Sequence, residues 1–226
     1  MDQLGQAFQR DSLALTVLQA ASLQHHRRAA CNTELFFKQH RGESACFEWC
    51  DLVDTRGGEN NNSDGFFGRA GSSIRNCFIS TLDDAIKVYE DVAIENVTIE
   101  QHRNGAALQF GWARKNMTAD ADIRNLTIKG VAENDRYNMT PLTWEIGDHG
   151  VRNVRVEGLT LDIDGEMYDE STATWRPIGL LELKPSKATF NLRVENSVGL
   201  QDWLAGGASM GIIHTRGKIE CPVDDP

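Results

Sequence analysis

Segments with one arrangement of apolar and polar positions recur through the middle of the chain. Ile74-Arg-Asn76-Cys-Phe-Ile79, Ile94-Glu-Asn96-Val-Thr-Ile99, Ile123-Arg-Asn125-Leu-Thr-Ile128 and Val151-Arg-Asn153-Val-Arg-Val156 each read apolar, any, Asn, apolar, any, apolar, and a looser fifth copy runs from Asn191 to Val194. After each Asn the apolar residues fall two apart, which predicts a short strand with those side chains on one face. The Asn breaks the alternation and predicts a bend, where its amide can serve free backbone groups and bond to the Asn of the next copy. The expectation is a buried asparagine ladder. The asparagines stand 20, 29 and 28 residues apart, which does not suit a coiled coil and does suit stacked turns with loops of variable length. An antiparallel sandwich also uses short alternating strands, but it does not explain an Asn at the same place in each segment. Hairpin pairs such as Asn-Gly are also largely missing between adjacent segments. The predicted fold is all-β, a right-handed parallel β-helix over residues 59–226.

Residues 1–58 do not join the pattern. Leu4, Phe8, Leu15 and Leu18 fall at helix-like intervals, and His25, His26, Arg27 and Arg28 form a basic cluster where such a helix would end. The expectation for residues 1–58 is an N-terminal helical cap over the open end of the solenoid, or else a truncated or unrelated segment. The histidine pair reads as a solvated helix end, since no carboxylate completes a metal site beside it.

A second register appears when the segment around Asp64 is set above those 20 and 40 residues later. Asp64, Asp84 and Asn104 then form one column, with Ser63, Asp83 and Arg103 on one side of it and Gly65, Ala85 and Gly105 on the other. Phe66, Ile86 and Ala106 fill the next column, and Val88 and Leu108 follow on the same face. Neighbouring strands lie about 4.8 Å apart, so Asp64, Asp83 and Asp84 are expected to meet. A regular strand would turn one of Asp83 and Asp84 into the apolar interior. The pair is therefore expected at a bend where both reach solvent, with crowding that raises at least one pKa. A protonated carboxyl beside an ionised one is what hydrolysis of a glycosidic bond requires. Lys87 lies on the same strand face as Asp83, and Trp112 offers a flat surface of the kind sugar rings stack on. Acidic pairs are also common in plain turns, and clustered Asp oxygens suit calcium; the column alignment favours acid/base chemistry without a metal or other cofactor.

Composition narrows the partners. A net charge of −10 over 226 residues argues against a nucleic-acid partner, which calls for a concentrated basic face, and fits a neutral substrate. No run of apolar residues is long enough to span a membrane, and the short apolar stretch 13–18 follows Asp2, Arg10 and Asp11, so no secretory leader pattern is legible. Five cysteines, Cys31, Cys46, Cys50, Cys77 and Cys221, cannot all pair internally, and Cys46 with Cys50 is the close pair in sequence. They read as buried or adventitious thiols. Acceptor-like Asn-x-Ser/Thr triplets start at Asn61, Asn96, Asn116, Asn125 and Asn138; Asn96 and Asn125 belong to the expected ladder and are read as unglycosylated.

The stretch from Asn61 to Trp112, with SDG, then DDAIK, then LQFGW in that order, resembles the active-site coils of the family 49 glycoside hydrolases, the dextranase and isopullulanase group. The resemblance is strongest over residues 61–113. The related family 28 polygalacturonases are similar in fold and share an Asp-Gly and an Asp-Asp coil. They follow these with Gly-His-Gly and Arg-Ile-Lys segments, which are absent here. The resemblance implies that Asp83 is the general acid and that Asp64 and Asp84 hold and activate water, with inversion at the anomeric carbon. It makes Lys87, Gln109 and Trp112 subsite residues, beside Arg103 and Asn104, and implies an extracellular monomer acting on a polysaccharide such as dextran. A pectin hydrolase and an inactive carbohydrate-binding fragment are the competing expectations.

Overall fold

The computed structural model describes residues 27–30, 35–38, 44–55, 63–102, 105–111, 119–131, 140–144, 149–164, 166–169, 174–177, 180–183, 187–201, 211–213 and 218–220. Along the chain the strands are β1 (Arg27–Ala30), β2 (Leu35–Lys38), β3 (Cys46–Glu48), β4 (Cys50–Val53), β5 (Asp64–Phe67) and β6 (Ser72–Ser80). There follow β7 (Ile86–Lys87), β8 (Val92–Gln101), β9 (Leu108–Gln109), β10 (Ala119–Val131), β11 (Leu142–Trp144) and β12 (His149–Asp164). The last are β13 (Glu166–Asp169), β14 (Thr174–Pro177), β15 (Leu181–Leu183), β16 (Lys187–Glu195), β17 (Gly211–Ile213) and β18 (Lys218–Glu220).

Successive strands alternate between two parallel sheets. The larger runs β1-β4-β6-β8-β10-β12-β16-β18, with β3 also on β6, and the smaller runs β2-β5-β7-β9-β11-β15-β17. Only the β13–β14 hairpin is antiparallel among the described pairs. The protein is all-β with parallel sheets, an arrangement consistent with a β-helix.

Stacking of like residues on neighbouring strands holds each sheet together. Leu52, Ile79, Ile99, Ile128 and Leu161 face one another on consecutive strands of the larger sheet, and all five are buried. Phe66, Ile86, Leu108, Leu142 and Leu181 do the same in the smaller sheet, also buried. Each such side chain contributes about 1.5–3 kcal/mol.

The bend that the asparagines predict is present. Trp49, Asn76, Asn96, Asn125, Gly158 and Asn196 all have positive φ, between 52° and 77°. Each follows an apolar residue and a charged one: Phe47-Glu48, Ile74-Arg75, Ile94-Glu95, Ile123-Arg124, Val156-Glu157 and Val194-Glu195. Those two columns are in register through the whole stack. Asn tolerates the left-handed conformation better than other side chains because its amide bonds locally. Nδ2 of Asn96 donates to Oδ1 of Asn76 at 3.0 Å, and Nδ2 of Asn125 to Oδ1 of Asn96 at 2.8 Å. Gly158 ends this ladder, since a Cβ there would lie 2.6 Å from Asn125 Oδ1.

Four expectations are corrected. The ladder is not buried: Asn96 and Asn125 are exposed, the left-handed bend turning their side chains away from the apolar face, so burial gives no ground for reading their triplets as unglycosylated. Asn153 is not a bend residue. The register pairs Val156, not Val151, with Ile123, and β12 runs straight through Asn153, so Val151 is 39% exposed and Arg152 only 1%. Arg152 is accommodated by donating from Nε and Nη2 to the Phe110 carbonyl at 3.3 and 3.2 Å. Asn191 pairs with Asn153 in a second, separate column.

The third correction concerns the chain start. The helical cap is not supported: Arg27 and Arg28, expected at the end of a helix, lie in β1, which pairs in parallel with β4, while residues 1–26 lie outside the described residues. Fourth, the 20-residue period of the smaller sheet holds from Phe66 to Ile86 but becomes 22 from Ile86 to Leu108. Leu108, and not Ala106 as the 20-residue period predicts, therefore stands opposite Ile86.

Candidate active site

Asp64 opens β5, and Asp83 and Asp84 lie in the bend that leads into β7. The backbone of one coil fixes the next. Gly65 N donates to Asp84 O at 2.9 Å and Phe66 N to Ala85 O at 2.8 Å. The Ser63 hydroxyl accepts from the Leu82 amide at 3.0 Å, which pins the bend just before the acids. Two glycines are dictated by this packing. A Cβ on Gly65 would lie 2.2 Å from Ala85 O, and one on Gly105, where φ is +84°, would lie 2.2 Å from the Asp83 carbonyl carbon.

The three carboxyl groups converge, with one oxygen of each within 4.8 Å of the others. Lys87 Nζ lies 2.7 Å from Asp64 Oδ2 and 3.6 Å from Asp84 Oδ2. Asp84 Oδ1 accepts the Ala106 amide at 3.0 Å, and Asp83 Oδ1 accepts the Asp84 amide at 2.9 Å. Asp83 is half-buried, whereas Asp84, at 2% exposure, does not reach solvent as expected. The bend turns Asp84 inward, where the backbone amide and Lys87 compensate its burial.

Crowding and burial set the protonation. Burial pushes the Asp64 carboxyl up to about 6 against the pull of the Lys87 ammonium. Burial also raises Asp83, opposed by Lys87 and by the Asp84 amide. Asp84 is raised well above the ordinary carboxylate range, first by burial and then by the charge of Asp83. For Lys87 burial works against the charge, but Asp64, Asp84 and Asp83 outweigh it and hold the ammonium above its usual value. Such coupling separates the protonation of neighbouring carboxyls, so the one raised most holds its proton to higher pH than the others. The acids have the donor chemistry of a cation site, but the Lys87 ammonium already occupies the position against Asp64 and Asp84 that a cation would take.

Known proteins are similar to part of this chain. Over 59 residues it is 36% identical to a dextranase of Arthrobacter sp. (strain CB-8) and 34% identical to a dextranase of Arthrobacter globiformis. The matched stretch is 26% of this chain and spans only 9% of the length of each relative. No family model matches the chain, and no solved structure matches it.

Of the expected subsite residues, Gln109 stands opposite Lys87 in the neighbouring strand. It is buried, and its Oε1 accepts the Tyr89 hydroxyl. Arg103, Asn104 and Trp112 lie outside the described residues. Two supporting residues escaped the sequence reading. Tyr89 packs edge-on against Phe67, with ring centroids 5.2 Å apart, and orients Gln109. Buried Gln101 donates to Gly105 O at 3.3 Å and so holds the turn that delivers the Ala106 amide to Asp84. Tyr89 was legible in principle, two residues beyond Lys87; Gln101 gave no signal, because its partner lies across a turn of irregular length.

Proposed function

We propose that this chain is the acid-bearing part of a right-handed parallel β-helix glycoside hydrolase, with its catalytic unit in residues 59–226, that cleaves a neutral α-glucan such as dextran. The observation that carries the proposal is the convergence of Asp64, Asp83 and Asp84 around Lys87. The partial similarity to dextranases supports it. In this reading Asp83, the acid with most access to the surface, protonates the glycosidic oxygen. Asp64 and Asp84 hold a water and take its proton as it attacks the anomeric carbon. Lys87 keeps Asp64 ionised and can bind a sugar hydroxyl, while Gln109, Trp112, Arg103 and Asn104 line the subsites. The enzyme works without a cofactor, as an extracellular monomer.

The acid oxygens lie closer together than the roughly 6.5–9.5 Å between the carboxyls of a two-acid inverting site. Inversion here therefore requires different members of the trio to serve water and leaving group. The test is reducing-sugar release from dextran, pullulan and polygalacturonate, with NMR of the first-formed anomer. Hydrolysis of an α-glucan to the β-anomer, reduced about 10²–10⁴-fold in Asp83→Asn, is the expected result. Cleavage of polygalacturonate alone would move the substrate class to pectin. Binding without hydrolysis of any glucan would leave a carbohydrate-binding scaffold and overturn the enzymatic reading.

A further inference from the structure

The parallel register that sets Asp51 opposite Phe78 and Leu52 opposite Ile79 sets Cys50 opposite Cys77 one step earlier. Parallel neighbours in register have Cα atoms about 4.8 Å apart, inside the range of about 4.4–6.8 Å that a disulfide spans. Both side chains point to the same side of the sheet, each being the first residue after a positive-φ bend, at Trp49 and Asn76. Both thiols donate locally, Cys50 Sγ to Glu48 O at 3.2 Å and Cys77 Sγ to Arg75 O at 3.0 Å. Cys46, the neighbour of Cys50 in sequence, stands opposite Ser73 instead and accepts the Ser73 hydroxyl at 3.2 Å. The fold thus pairs Cys50 with a residue 27 positions away and leaves Cys46 without a cysteine across from it.

We propose that Cys50 and Cys77 are an oxidation site that closes to a disulfide stapling β4 onto β6, the strand that leads directly to Asp83. This inference is independent of the hydrolytic reading. The reaction with a small-molecule disulfide such as oxidised glutathione balances as two protein thiols oxidised and one glutathione disulfide reduced to two thiols. Cys50 is half-buried and Cys77 buried, so Cys50 is the attacking group. Its thiol is lowered to about 7, chiefly by the Cys77 side chain, which supplies thiolate at neutral pH. The Cys50 thiolate attacks one sulfur of oxidised glutathione and expels a glutathione thiolate. Cys77, whose pKa is raised first by its contact with Cys50 and then by burial, next gives up its proton and attacks the Cys50 sulfur of the mixed disulfide. The second glutathione thiolate leaves.

The full chain, incubated with oxidised glutathione at pH 8, alkylated and digested without reductant, tests this. The expected result is one peptide pair linked through Cys50 and Cys77, with two fewer alkylated cysteines than in the reduced chain, and a Tm about 5 °C higher than in that chain. Cys50→Ser should lose both the link and the Tm rise. Glutathione retained on Cys50 without closure, a link from Cys50 to another cysteine, or alkylation of both residues in folded, oxidant-treated protein would overturn the proposal.

Discussion

Two polar columns run along the stack, and they are built on opposite principles. At the bend of the larger sheet, Asn76, Asn96 and Asn125 pass neutral hydrogen bonds from coil to coil, each amide serving its neighbour. At the start of β5 and β7, Asp64, Asp83 and Asp84 crowd like charges into a half-buried site with one ammonium among three carboxyls. The first column stabilises the coil at each step. The second costs stability, and such a cost is expected where acid/base chemistry needs displaced pKa values.

The difference is broken most severely through the glycines that let the acidic coils approach. Gly65→Ala should destabilise the chain by about 4 kcal/mol in urea unfolding, because the added carbon meets a backbone carbonyl that cannot move aside. Next comes the ammonium. Lys87→Met should cost about 3 kcal/mol at pH 8, since it leaves buried acids without their counter-charge, and much less at pH 4, where the folded state can protonate them. At the bend, Asn96→Ala should cost about 1–2 kcal/mol, for a lost ladder contact and a left-handed residue without its amide. Asn96→Gly should cost less, and neither effect should vary between pH 5 and 8.

The smallest expected effect has the opposite sign. Asp83→Asn should raise stability at pH 7 by about 1 kcal/mol by removing one of the crowded, desolvated carboxyls, seen as a higher Tm and, under the proposed function, beside lost hydrolysis. The pH dependence follows the same logic. An acid whose folded pKa lies above its unfolded value binds more protons when folded. Its contribution is present below the unfolded value near 4 and is lost as pH rises through about 6 for Asp64. Asp64→Asn should remove that decline from the pH–stability curve.

The sequence was legible where chemistry repeated at constant spacing. The 20-residue step from Asn76 to Asn96, and from Asp64 to Asp84, is the register of the sheets themselves, so the ladder and the acid cluster could both be read. It failed where a different residue solved the same physical problem. Trp49 and Gly158 take the bend position that Asn holds in other coils, which hid the coil at Phe47–Leu52 and displaced the fourth copy by five residues. The true repeat is apolar, charged, left-handed, with Asn as only one way to satisfy the last position. Ala106 was misplaced for a related reason: two additional residues before β9 set Leu108 opposite Ile86 without changing the local pattern.

Titration of the carboxyl carbons by 13C NMR in protein labelled at aspartate, assigned with the three single Asp→Asn variants, reaches the central claim most directly. The expected result is an Asp84 midpoint displaced upward from the ordinary carboxylate range, an Asp64 midpoint near 6, and a shift of the remaining acids whenever one is replaced. Three independent midpoints near 4, unmoved by substitution of their neighbours, would contradict it.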